Sequence, residues 1–376
     1  SNSEEDLAGY NLYRAEGANG TFIKVNGSPI PNAEAAVTYK DEGLKIATKY
    51  YYQLKAVDLA GNESQPTDTH SAVTPGILEE NRTWTIADSP YIICGDIRVK
   101  GGSLLTIEPG VEIRFAKEAI ISDSLGATMT ELIIQGGLIA SGTDSKPIVF
   151  TSADNFPRKS VWGGIVFYGT TQADNIMRNC TIMFADTGIK SDGSTPSIEN
   201  CEFGYCGLAL DLGLSTSLNI KGNTIRDCDV GMISFGSNIR NNLFISCGTA
   251  VSLMGADYFE NNTIDCITGI ELPAATKPTI KNNIITYTNT LSKGLYGINM
   301  KESTASPTVE YNDIYNLSYP YNGMTASGPG NIASDPLFIG GTIFDYHLQT
   351  QAAGYASDSP CLTSGESGSQ MGVYGP

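Results

Sequence analysis

Apolar and polar positions recur along the second half of the chain with a period of roughly twenty-one residues. IMRNCTIMFADTGI, SIENCEFGYCGLAL, IKGNTIRDCDVGM, IRNNLFISCGTAV, FENNTIDCITGI and IKNNIITYT share the pattern I-x-N-N-x-I-x-x-C-x-x-G-I, and VEYNDIYNL follows it less closely. One column holds Cys180, Cys201, Asn223, Asn242, Asn262, Asn283 and Asn312, with steps of 21, 22, 19, 20, 21 and 29 residues. A second holds Ala185, Cys206, Cys228, Cys247 and Cys266, and a third Gly188, Ala209, Gly231, Ala250 and Gly269. Paired helices would show a 3.6-residue period inside each unit, whereas these units break into strand-length pieces. Ile198 and Phe203 are five apart, so both point inward only if the chain turns between them. The Asn pair falls at that turn, where Asn tolerates left-handed backbone. Stacked on successive coils, the amides would bond one another as a ladder. The pattern predicts an all-β parallel β-helix of about three short strands per coil, each coil ~4.8 Å above the last.

Residues 80–170 fit the same architecture less regularly. GDIRVKGGSLLTIEPGVEIRF (95–115) reads as the opening coil, and LIIQGGLIASGT, PIVFTS and WGGIVF supply later ones. Residues 9–74 read as short alternating strands with turns between them, GYNLYR, FIKV and KYYYQLKAV, which predicts a small β-sandwich. Thr74, Pro75 and Gly76 mark its boundary. The division expected is a front module over 1–76, a β-helix over 77–330 and a closing segment over 331–376, with 335–346 completing the closure.

Two resemblances follow. Through LTIEPGVEIRF, GGLIASGT, KPIVFTSAD, VWGGIVF and the terminal DPLF, DYHLQ, SPC and MGVYG, residues 84–376 resemble bacterial right-handed parallel β-helix repeat proteins of the pectin-lyase-like kind, often found at cell surfaces. Through GYNLYR, Leu44 with Thr48, Lys49 and Tyr50, and AVDLAGNES, the front module resembles a fibronectin type III domain entered at its third strand. That resemblance makes Tyr50 the corner tyrosine and implies a longer parent protein, with the module a glycan- or protein-binding unit or a spacer. The β-helix scaffold hosts lyases, hydrolases and non-catalytic surface proteins alike, so the resemblance speaks to fold rather than activity.

Composition narrows the function classes. The 376 residues carry 23 Lys and Arg against 40 Asp and Glu, a formal charge of −17, and no basic run. Phosphate contacts need clustered cations, which excludes a general nucleic-acid binder. No apolar run is long enough for a membrane-spanning helix, so no membrane insertion is expected. The chain opens SNSEEDLAGY without a signal peptide. A leader already removed or a cut-out fragment is expected, with Ser1 and Asn2 a tag remnant.

Eight cysteines are present without a C-x-x-C pair. In the file Cys206, Cys228, Cys247 and Cys266, parallel side chains would stay about 4.8 Å apart, wider than the ~3.8 Å that a disulfide requires between Cβ atoms. Free thiols packed as small hydrophobes are expected. A metal would require convergent ligands rather than a line. Free thiols usually argue for a reducing compartment. Burial weakens that argument, and an extracellular or cell-surface location is kept.

Chemistry is harder to place. No P-loop, dinucleotide loop, H-E-x-x-H or G-x-S-x-G in its proper context is present, and His70 and His347 are the only histidines. The Gly-His-Gly and Arg-x-Lys motifs of β-helix polygalacturonases are missing, while calcium-dependent pectate lyases need clustered carboxylates and a basic proton acceptor. The strand after the Gly/Ala column would present Lys190, Asp211, Ile233, Ser252, Glu271 and Asn299 outward. Asp211 and Glu271 would lie about 14 Å apart, beyond the roughly 5–9.5 Å of glycosidase carboxylate pairs. A tighter constellation is Asp186 and Asp229 on one turn column roughly 10 Å apart, with Asp211 between them and Lys190 and Asp192 beside it. Three carboxylates could hold a Ca²⁺, with Lys190 or Arg226 meeting a uronate or acting as base. The same residues read more simply as a solvated acidic face. Tyr311, Tyr315, Tyr319 and Tyr321 could stack on sugars or close the end of the coil.

Three functional readings emerge. The first is a non-catalytic extracellular protein presenting a β-helix for glycan binding, adhesion or surface assembly. The second is a polysaccharide lyase or glycoside hydrolase acting on acidic polysaccharide through the aspartate groove. The third is a self-assembling fibre or sheath component. No cofactor other than Ca²⁺ is indicated, and the oligomeric state is open.

Overall fold

The computed structural model describes residues 6–17, 19–32, 37–116, 129–169, 175–213, 217–273, 275–288, 292–300, 304–324 and 328–375. Ser1 and Asn2 lie outside them. Three sheets run the length of the molecule, with 14, 11 and 10 strands among the described residues. From residue 70 to residue 322 the chain visits them in strict rotation. Each strand pairs in parallel with its counterpart one coil earlier and one coil later. Sheet 1 begins at His70–Val73, sheet 2 at Gly76–Leu78 and sheet 3 at Arg82–Trp84. The opening coil thus precedes the expected 95–115 segment; its strands are too short to show a pattern.

Stacking places like residues on like. Ile182, Phe203, Ile225, Phe244, Ile264, Ile285 and Ile314 are register partners along sheet 1. Ile189, Leu210, Met232, Val251, Ile270 and Ile298 do the same along sheet 2, and Ile198, Ile220, Ile239, Phe259, Ile280 and Val309 along sheet 3. All are buried in one continuous core. Each such side chain contributes about 1.5–3 kcal/mol by leaving water, and these contributions offset the backbone entropy of a fold made of short strands.

The turn from sheet 3 to sheet 1 divides its work between two adjacent residues. The first takes left-handed backbone: Asn200, Asn241, Asn261 and Asn282 have φ of 52°, 54°, 55° and 54°. The second points inward. The Nδ2 of Asn223 donates to Oδ1 of Asn242 at 3.0 Å, and the same Oδ1 accepts the Asn223 backbone N–H at 3.0 Å. The pattern repeats through Asn262, Asn283 and Asn312, and Asn331 adds a further rung. Each amide thereby satisfies a buried turn that would otherwise leave main-chain donors unpaired.

The front module is one antiparallel sheet among the described residues, where two layers were expected. Strand β1 (Leu7–Glu16) lies between β2 (Ile23–Lys24) and β3 (Lys49–Asp58), and β3 pairs with β4 (His70–Val73). Strand β4 is also the first strand of the coil, because Val73 pairs in parallel with Ile93. Ala47 and Val73 join the same core as Leu78 and Trp84. The 74–76 boundary is therefore a hydrogen-bonded junction, and β-helix packing supplies what a second sheet would have covered. The Tyr50 hydroxyl accepts the Lys45 N–H at 2.9 Å.

The C-terminal segment does something other than close the end. Phe338–Gly340 and Asp345–Leu348 form a hairpin. Phe338, Tyr346, Leu348, Cys361 and Met371 pack on Leu243 and Ile284, which point outward from sheet 1. The segment runs back along the flank as a strap. At its far end Asn241 Nδ2 donates to the carbonyls of Val373 and Gly375 at 3.1 and 3.0 Å. At the coil end itself, Met300, Tyr321 and Met324 pack against the main core.

Candidate functional site

The aspartate constellation separates into two places. Gly207 N–H donates to the carbonyl of Ala185, and Asp229 N–H to that of Cys206, so Asp186, Gly207 and Asp229 occupy one turn column as expected. Asp211 ends the following strand, four residues past Gly207, or about 13 Å along it. It pairs in register with Lys190 and is remote from Asp186 and Asp229. The three carboxylates therefore do not converge: spacing along the strand, invisible in a column alignment, keeps them apart. Asp229 is held by Lys159 at 2.7 Å in an exposed pair worth about 0–1 kcal/mol. Asp211 accepts the Gly213 N–H at 3.1 Å and shapes its own turn. Arg226 is engaged with Glu202 at 2.7 Å and Asp227 at 3.2 Å, with its guanidinium over the Tyr205 ring. Among the described residues no group of three or more His, Cys, Asp or Glu side chains is arranged to hold a metal ion. The residues offered for Ca²⁺ do not fit one.

The cysteine files lie inside the coil. Cys180, Cys201, Cys206, Cys228, Cys247 and Cys266 are all buried free thiols. Hydrogen bonding to Cys228 and burial push Cys206 and Cys247 well above the ordinary thiol range. Cys206 and Cys247 are therefore packing groups, since the thiolate is the reactive form.

The four tyrosines do not share a face. Tyr311 is part-buried under the strap, Tyr321 packs at the coil end, and Tyr319 points outward from sheet 2 with its ring 5.5 Å from that of Tyr296. Tyr315 alone lines a cleft. That cleft, about 370 Å³, runs between the last strands of sheet 1 and the C-terminal hairpin. Its walls include Tyr287, Tyr315 and Phe344 with Asn316, Asp335 and Gln349. Three aromatic rings with amide and carboxylate groups between them make a surface that is apolar in its faces and polar at its edges. Asn316 Nδ2 donates to the Tyr287 carbonyl at 2.6 Å and Gln349 Nε2 to that of Phe338 at 2.7 Å, so both amides are held in place. Phe344, at the hairpin tip, is 41% exposed, enough to present its ring to a ligand. Tyr287 and Phe344 are absent from the sequence-derived set. Their signal was the outward Leu243, Ile245 and Ile284, which require a cover and hence a seam beside it.

Two known families match the chain. One is described as a pectate-lyase like beta helix domain and matches residues 76–208; the other, a right handed beta helix region, matches residues 163–335. No curated protein and no solved structure matches it.

Proposed function

We propose that this right-handed parallel β-helix is a non-catalytic extracellular or cell-surface protein that binds glycan. In this reading the front module, a partial fibronectin type III-like unit, is a spacer fused to the first coil. The observation that carries the proposal is the cleft of Tyr287, Tyr315 and Phe344 beside Asn316, Asp335 and Gln349. Aromatic faces stack on the apolar faces of sugar rings, and the fixed amides and carboxylate meet hydroxyl groups at the edges. The separated aspartates weigh against the lyase or hydrolase reading, because general acid and base must both reach one bond.

The test is a glycan array probed with the whole chain and with Tyr315→Ala and Phe344→Ala. Binding that both substitutions reduce, and Tyr319→Ala does not, supports the assignment. Array binding indifferent to Tyr315 and Phe344, or no binding to any glycan, overturns it.

A further inference from the structure

The cleft between the last strands of sheet 1 and the C-terminal hairpin carries charge of one sign only. Among the described residues that line it, Asp335 is the sole charged side chain, and no Lys, Arg or His contributes. The Asp335 carboxylate is exposed, and its Oδ1 accepts the Leu337 N–H at 3.0 Å, which fixes its direction. No cationic side chain among the described residues pairs with it. Two further carboxyls stand behind the walls. Asp265 accepts bonds from the hydroxyls of Thr288 and Tyr346, and Asp313 accepts the Ser334 N–H at 3.0 Å. The whole chain adds a net charge of −17.

The aromatic walls reinforce that sign. Tyr287, Tyr315 and Phe344 line the same space. The Phe344 ring is held against Tyr346, 4.7 Å between centroids, and edge-on to Phe338 at 6.0 Å, so it stays in place at the mouth. The face of an aromatic ring is negative and attracts a cation. An acidic sugar entering here meets carboxylate and ring faces that both repel it. A neutral hydroxyl gains only an ordinary hydrogen bond. An ammonium group gains a charge-assisted bond to Asp335 and the attraction of the rings together.

We propose that this cleft selects sugars bearing a free amino group, as in β-1,4-linked glucosamine. The inference rests on the glycan-binding reading of the same cleft and narrows it to a cationic class. The sugar ammonium donates to Asp335, and the rings of Tyr287, Tyr315 and Phe344 take the apolar sugar faces and the charge. The amide oxygens of Asn316 and Gln349 accept from sugar hydroxyls, because their nitrogens are already committed to the carbonyls of Tyr287 and Phe338. The acidic surface draws a cationic polymer in from a distance.

The experiment is calorimetric titration of the whole chain with β-1,4-linked hexamers of glucosamine, N-acetylglucosamine and glucose, which differ only at carbon 2. Hexalysine serves as a cation without sugar. The glucosamine hexamer should bind about tenfold more tightly than either other sugar, with the margin shrinking as salt screens the charges. Asp335→Asn, which keeps an acceptor for the Leu337 N–H, should abolish that margin while leaving the weaker neutral binding. Glu80→Gln removes an exposed carboxylate on the opening coil and should leave the margin intact. A circular-dichroism spectrum matching the parent accompanies each variant. Equal affinity for the three sugars overturns the selectivity but leaves glycan binding standing. A margin that survives Asp335→Asn, or hexalysine binding as tightly as the glucosamine hexamer, overturns the proposal by assigning the attraction to overall charge. No binding of the glucosamine hexamer overturns it too, and the glycan array then reads separately whether the cleft takes any sugar.

Discussion

The side-chain nitrogen of Asn242 donates to Oδ1 of Asn262 at 3.1 Å across one coil, and the same oxygen accepts the Asn242 backbone N–H at 2.9 Å. One oxygen thus closes both donors of the residue above it.

Replacing Asn262 by Ala should leave the Asn242 backbone N–H without its partner inside the coil, while Asn242 Nδ2 keeps the carbonyls of Ile220 and Arg240. The cost of a buried unsatisfied donor is about 1–3 kcal/mol, and a loss of that size is expected. Urea unfolding of Asn262→Ala beside the exposed control Asn219→Ala measures it. Equal midpoints for the two variants would show the ladder to be dispensable.

Asp313 gives a pH dependence. Its carboxyl is buried beneath the strap, where it accepts the Cys361 S–H at 3.1 Å and the Ser334 N–H at 3.0 Å, with Asp335 the nearby like charge. Burial raises its pKa from 3.8 to about 6. The folded state therefore holds this proton more tightly than the unfolded one. The stabilising contribution is fully present below pH 3.8, is lost as pH rises through about 6, and amounts to about 3 kcal/mol. The Tm difference between the parent chain and Asp313→Asn, followed from pH 3 to 8, should change between about pH 4 and 6 and level off above that. A difference independent of pH would show that the carboxyl stays ionised throughout.

Thiol titration tests the interior files. In native protein a thiol reagent should label Cys94, which is only part-buried, and spare the seven buried cysteines. All eight should react in denaturant. Rapid native labelling of Cys228 or Cys247 would place reactive thiolate where packing is assigned.

Phe244→Ala should cost about 3–5 kcal/mol by opening a cavity beneath the Phe259 ring, 6.1 Å away. Calorimetry of this variant against Tyr168→Ala, an exposed aromatic position on sheet 2, would read the difference. A small effect would mean that the coil collapses to fill the gap.

Incubation with polygalacturonate and calcium should produce no absorbance from unsaturated sugars. A sustained rise would move the functional conclusion to a lyase, and Asp211→Ala would then show whether that residue takes part.

Stacking made much of this architecture legible in the sequence. When register partners repeat every coil, a one-dimensional alignment is already a map of neighbours, and the Asn, Cys and aliphatic files follow directly. What an alignment does not carry is distance along a strand. Asp186, Asp211 and Asp229 sit in adjacent columns of text but at opposite ends of a strand in space. The strap was obscured for a related reason. Leu243 and Ile284 occupy outward positions of sheet 1, where apolar residues signal a cover, yet the cover lies far downstream and has no repeat of its own.

The strap also alters how such a molecule comes apart. In a stack whose layers touch only their neighbours, the terminal layer frays first and the rest follow one by one. Here the tail folds back from Asp313 to Asn241, fastening several windings to one another from outside. Tension applied at the C-terminus must first strip off this clasp before any winding can peel, so the terminal windings yield together or hold together.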